Sequence, residues 1–143
     1  MTGNANTTDV LLDAARRTFA ADRYATEATG IDIAAVGDHS AECHMAVDSR
    51  HLNARGVVMG GALFTLADLA AAVAANTDCL TADEPLAWVS LDATIHYLAP
   101  AAGSTLESRC TALKHGRTTA LYQTVVTCGN RQVAIVETTM VHV

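Results

Sequence analysis

Basic residues are scarce in this sequence: eight arginines and Lys114 stand against 15 acidic side chains, giving a net charge of -6. A broad negative field repels phosphate, which argues against non-specific binding to nucleic acid or anionic membrane. A small phosphorylated ligand stays possible, since it needs only a local basic patch. Long apolar runs are missing too. The most apolar stretch, 62–75, contains Asp68 and falls short of the ~20 residues that span a bilayer. The four cysteines, Cys43, Cys79, Cys110 and Cys128, form no CxxC pair, and the first residues do not resemble a signal peptide. Reduced thiols in a cytoplasmic protein are therefore expected. His39, His44, His51, His96, His115 and His142 form no HxxxH or HExxH pair, so no metal centre is expected. Ser90 has no GxSxG context, which leaves a serine-hydrolase elbow unsupported.

What is present points to a globular chain: 50% of the residues are apolar and 17% charged. Its length fits one domain, read as a tail and helix over 1–30 and a core over 31–143. Leu11, Ala15 and Phe19 recur four apart and predict a helix over 9–24, preceded by a frayed polar end. Residues 31–36 and 40–47 read as a hairpin turning at Gly37-Asp38, followed by a loop over 48–56. Residues 61–76 are good helix formers and apolar nearly all round, a pattern that needs protein on every side. A polar loop then ends at Pro85. Val89, Leu91, Ala93, Ile95 and Tyr97 alternate with polar residues, the pattern of a half-buried strand. Strands over 105–113, 118–128 and 132–143 follow, with short turns that imply an antiparallel meander. One sheet and one wholly apolar helix combine most economically when the sheet curls around the helix.

Asp68 is the outlier in that helix. An ionised carboxylate is costly to bury unpaired, so Asp68 either faces a solvated stripe or belongs to a functional site. Gly60-Gly61 opens the same helix. Glycines let a ligand approach the backbone, and the first amides of a helix lack internal partners, so they can stabilise an oxyanion. The same pair also suits a tight junction with no ligand.

Together these positions carry a resemblance. Asn53-x-x-Gly56-x-x-Met59-Gly60-Gly61-Ala62-x-x-Thr65-Leu66-x-Asp68 resembles the signature of the phenylacetyl-CoA thioesterase-like (PaaI-like) branch of hotdog-fold enzymes. The likeness runs on through Ser90-Leu91-Asp92-Ala93-Thr94-Ile95-His96-Tyr97-Leu98-Ala99-Pro100 and His115-Gly116-Arg117, covering roughly residues 30–143. It implies an α+β hotdog fold, a curved antiparallel sheet around one long helix, and hydrolysis of an acyl-CoA without metal or redox cofactor. By the same resemblance, the Gly60 amide polarises the thioester carbonyl and Asp68 acts as nucleophile or general base. Asn53 helps place the carbonyl or water, and Ser90 orients water near the acid. Met59, Gly61, Gly116 and Arg117 border the substrate, the last two at its nucleotide end. The departure is Met59, where the family usually has His; a thioether neither donates a hydrogen bond nor titrates.

Gly60 and Asp68 lie eight residues apart, about 12 Å along one helix at ~1.5 Å per residue, too far for both to reach one thioester carbonyl. A two-fold axis resolves this by setting Asp68 and Ser90 of one chain against Asn53 and Gly60 of its partner. The resemblance agrees, implying a homodimer and a homotetramer built as a dimer of dimers. The competing reading is an acyl-CoA binder without turnover. A hotdog hydratase is disfavoured because its Asp/His dyad is not visible.

Overall fold

The computed structural model describes residues 4–143, with side chains from Thr7 onward. Six antiparallel strands, β1 (Ile31–Gly37), β2 (Ser40–Ala46), β3 (Trp88–Tyr97), β4 (Thr105–His115), β5 (Thr119–Cys128) and β6 (Arg131–His142), form one sheet in the order β1-β2-β4-β5-β6-β3. Helix α2 (Gly60–Ala75) lies across β2, β4 and β5 and also touches β6 and β3. Its Leu66, Ala67, Ala70, Ala71, Val73 and Ala74 are fully buried. Small side chains on the helix let the sheet close down on it, which explains the abundance of Ala. This is the expected α+β hotdog arrangement.

Four sequence expectations need correction. The N-terminal helix, α1, is Asn4–Phe19, followed by a single wide turn at Tyr24–Ala28. It begins inside the segment expected to fray (residues 1–3 of which lie outside the described residues) and stops where its buried face, Ala15 and Phe19, runs out. The expected polar loop after α2 holds a further helix, α3 (Thr77–Ala82), whose Thr77, Cys79 and Leu80 are buried among polar neighbours that hid the pattern. The strands do not form a plain meander. β3 pairs with β6 at the far edge, because residues 98–104 carry the chain back across the sheet before β4 begins.

The fourth correction concerns the face of β3. A bulge between Ser90 and Asp92 shifts the alternation by one residue. Ser90 therefore lies opposite buried Met140, while Ala93 and Ile95 lie opposite buried Thr138 and Val136. Directly opposed residues share a face, so Ser90 joins Ala93 and Ile95 on the helix side. Tyr97, opposite buried Ala134, keeps that helix-side phase although it is 55% exposed, whereas Leu91 and Val89, 64% and 45% exposed, do not join the inner face.

The two sheet edges differ. At the β1 edge, α1 packs alongside and Arg16 Nε donates to the Ile33 carbonyl at 2.9 Å, beside a bulge. Among the described residues, no element covers the ten-residue β3 edge. An uncovered edge of that length presents a row of unpaired backbone groups.

Candidate active site

The loop before α2 is folded by its own side chains. Asp48 accepts from the Arg50 amide, and the Asp48 amide donates to His51 Nδ1 at 3.0 Å. His51 is buried and its Nε2 donates to the Thr29 carbonyl at 2.7 Å, so the ring is the neutral Nε2–H tautomer. Asn53 Oδ1 accepts from the Arg55 amide at 2.8 Å and the Val57 amide at 3.4 Å. Asn53 is thus first a loop-shaping residue, and its Nδ2 is the group left to face a ligand. The loop closes when the Met59 amide donates to the His51 carbonyl at 2.8 Å. Met59 is the residue before the helix, 56% exposed, and its side chain makes no capping bond.

Gly60 and Gly61 supply the first amides of α2, and among the described residues neither has a hydrogen-bond partner. They sit at the positive end of the helix, the arrangement that stabilises a developing oxyanion. A Cβ on Gly60 would lie 2.9 Å from the Tyr97 ring, so glycine here permits close approach. Asn53, Gly60, Leu63, Tyr97, Leu98 and Pro100 border a surface pocket of 470 Å³. Tyr97 was not expected as a site residue, since alternation placed it simply on a strand face. A concavity of 310 Å³ on the sheet, spanned by the Arg109–Glu42 ion pair, contains none of the expected site residues.

Asp68 does not line the Gly60 pocket. It lies with Gly61 and Thr65 on the one stripe of α2 left open, so the helix is not enclosed on every side. Partial burial raises the Asp68 pKa, and the charge of Asp22, just after α1, adds to the shift. The nearby Ser90 hydroxyl, which here donates to Met140 Sδ at 3.5 Å, works against it. The bulge in β3 is what brings Ser90 onto the face from which it influences Asp68. Each chain therefore carries two separate groupings of the expected site residues, Asn53–Gly60 with Tyr97, and Asp68–Ser90.

Gly116 and Arg117 lie in the β4–β5 turn, where the Gly116 amide donates to the Thr119 carbonyl and the Thr118 carbonyl accepts from the His142 amide. His142 is paired with Trp88, so Arg117 sits at the end of the sheet where β3 begins, the Ser90 end. Arg117 is exposed. All four cysteines are free; burial pushes the Cys43 and Cys110 thiols up to about 12, which makes them poor nucleophiles. One grouping had no sequence signal. His39, Asp78 and His115 come together from three separate elements, with no spacing motif joining them. His115 has its pKa lowered by burial and by neighbouring His39, with Asp78 and Asp38 opposing.

A family profile described as the thioesterase superfamily matches residues 55–135, more than half of the chain. The chain belongs to the thioesterase superfamily. Among superfamily members, the acyl-coenzyme A thioesterase PaaI of Escherichia coli is 36% identical over 97 residues, which span 67% of this chain and 65% of that protein. The solved structure of Escherichia coli PaaI, from the phenylacetic acid degradation operon, superposes with a TM-score of 0.78 at 28% identity, covering 93% of this chain and 96% of that one. A mutant of the phenylacetic acid degradation protein PaaI from Thermus thermophilus gives 0.74 at 28% identity, covering 82% and 97%. The hotdog thioesterase fold extends beyond the matched sequence segment, from β1 through β6.

Proposed function

We propose that this superfamily member hydrolyses an acyl-CoA thioester to the free acid and coenzyme A, in a site shared by two chains. The observation that carries this is the division of the machinery. Unpartnered helix amides beside a pocket lie at one end of α2, and a carboxylate with a raised pKa, near Ser90, lies eight residues on. Pairing of two chains through the open β3 edge sets the half-sites against one another. The Gly60 amide, flanked by Gly61, takes the carbonyl oxygen, with Asn53 in the same pocket and Met59, the residue before Gly60, beside the bound substrate. Asp68 attacks the carbonyl carbon, or removes a proton from the water that does, and Ser90 orients it. As the tetrahedral centre collapses, the C–S bond breaks and coenzyme A leaves as the thiolate. Where Asp68 attacks directly, water then hydrolyses the acyl–Asp68 anhydride to release the acid and restore the carboxylate. Gly116 and Arg117 lie where an extended nucleotide end can be met, and Arg117 supplies a cation for its phosphates. The core over 31–143 acts as one hotdog domain with residues 1–30 appended, in a cytoplasmic homotetramer built from two such dimers. Four unpaired cysteines suit that compartment.

Met59 favours one competing reading, an acyl-CoA binder without turnover, because it replaces the usual histidine with a side chain that forms no hydrogen bond. Release of free thiol from a panel of acyl-CoA esters separates the two. Turnover that falls at least about 100-fold in Asp68→Asn, with the fold retained, is the expected result. Wild-type protein that binds acyl-CoA and releases no thiol would establish the binder instead.

A further inference from the structure

Outside both half-sites, three elements converge at one end of the sheet: the β1–β2 turn with His39, α3 with Asp78, and the end of β4 with His115. One potential ligand atom from each lies within 4.8 Å of the other two. The ring nitrogens are already sorted. His39 Nδ1 faces Thr77 Oγ1 at 3.4 Å and His115 Nδ1 faces the Tyr122 hydroxyl at 2.8 Å, which leaves each Nε2 open. His39 Nε2 is 3.7 Å from Asp78 Oδ2 and 3.8 Å from Asp38 Oδ1. Imidazoles whose second nitrogen is held by an outer partner, with carboxylates beside the first, make the donor set of a borderline transition metal. His39 also holds a left-handed φ of +46°, which Asn or Gly adopts at lower cost, so the ring is what this residue brings to the turn.

We propose that His39, Asp78 and His115 bind one divalent transition-metal ion per chain, of the zinc or cobalt type, with Asp38 or water completing the shell. Metal–ligand bonds of ~2.0–2.2 Å place tetrahedral donors roughly 3.4 Å apart, so the cluster must draw in by about 1 Å. The two rings stack at 3.9 Å with 19° between their planes. An ion in the plane of both requires that stack to open. The ion ties the β1–β2 turn and α3 to the strand that leads into Gly116-Arg117. Its role is structural, since none of these ligands lies in either half-site.

Trp88, the chain's one tryptophan, reports the event, because its ring lies 4.4 Å from that of His115. Tag-free protein, stripped with chelator, is titrated with cobalt(II) while Trp88 fluorescence and visible absorption are followed, and with zinc(II) while the melting temperature is followed. A saturable 1:1 quench with visible cobalt bands, a raised melting temperature with zinc, and reversal by EDTA are expected. His39→Asn suits the left-handed turn and retains the fold; it and His115→Gln should each weaken binding at least tenfold. Tyr122→Phe removes only the hydroxyl behind His115 and should weaken it by about tenfold. Asp68→Asn and His142→Asn should bind as wild type. No saturable binding by the wild-type protein, or unchanged affinity in both His39→Asn and His115→Gln, would overturn the site.

Discussion

Asp68 sits between opposing influences whose removal has opposite signs. Partial burial and the Asp22 charge raise its pKa, and the nearby Ser90 hydroxyl lowers it. In the proposed mechanism, attack or proton abstraction needs the carboxylate, so the acid limb of the pH–rate profile is expected to follow this group. Ser90→Ala is expected to move that limb to higher pH, and Asp22→Asn to lower pH. A profile that moves the same way in both variants would remove Asp68 as the titrating group. Stability carries the same signature. A carboxyl whose folded pKa lies above its unfolded value destabilises the folded state once ionised, so stability falls as pH rises between the two values. Asp68→Asn is therefore expected to be more stable than wild type at neutral pH in urea titrations. That advantage should vanish below the ordinary carboxylate range.

At the scale of elements, the junction of α2 with β3 rests on one buried side chain. Asn76 Nδ2 donates to the Ala72 and Trp88 carbonyls at 2.9 and 3.1 Å, and its Oδ1 accepts from the Ala87 and Trp88 amides, both at 3.0 Å. Asn76 is 1% exposed, so Asn76→Ala leaves buried backbone groups unsatisfied at about 1–3 kcal/mol each. A loss of about 3 kcal/mol or more is expected from denaturant midpoints, whereas a loss under about 1 kcal/mol would mean that water replaces the amide. The junction also marks where sequence reading stopped working. Strands β4, β5 and β6 were legible as long apolar-polar runs between short turns, and helix α2 as sixteen residues of good helix formers apolar nearly all round. The β3 alternation was read correctly as a strand and wrongly as a face, because a bulge inverts the phase without changing composition. Helix α3 is one short turn after another with polar flanks, too brief for a period to register. The Gly60–Gly61 and Asp68 positions were legible as outliers, whereas Tyr97 over Gly60 and the stacked His39–His115 pair arise from contacts between elements distant in sequence.

At the scale of the whole molecule, the proposed dimer answers two features at once, the uncovered β3 edge and the separation of the Gly60 and Asp68 groupings. The β1 edge is sealed by α1 and Arg16, while β3 leaves Leu91 and Tyr97 more than half exposed. In the proposed dimer, antiparallel pairing of two β3 strands across a two-fold axis continues the sheet and would set Asp68 and Ser90 of one chain beside the partner's pocket. Asn53→Ala and Asp68→Ala are each expected to be inactive as purified, the first through its loop and ligand contact, the second through its chemistry. After subunit exchange, a mixed dimer holds one site with both defects and one with neither. A statistical mixture is thus expected to recover about a quarter of the wild-type rate. Were each site built within one chain, every chain in the mixture would still carry a defect, and the exchanged sample would stay inactive even with mixed dimers demonstrated by mass spectrometry. Replacing Leu91 with Lys should separate assembly from chemistry. It places like charges across the paired strands, so sedimentation should report monomers and thiol release should fall together with dimer content. Full activity in a monomeric Leu91→Lys protein would contradict the shared site, since neither half carries both the amides and the acid within reach of one carbonyl.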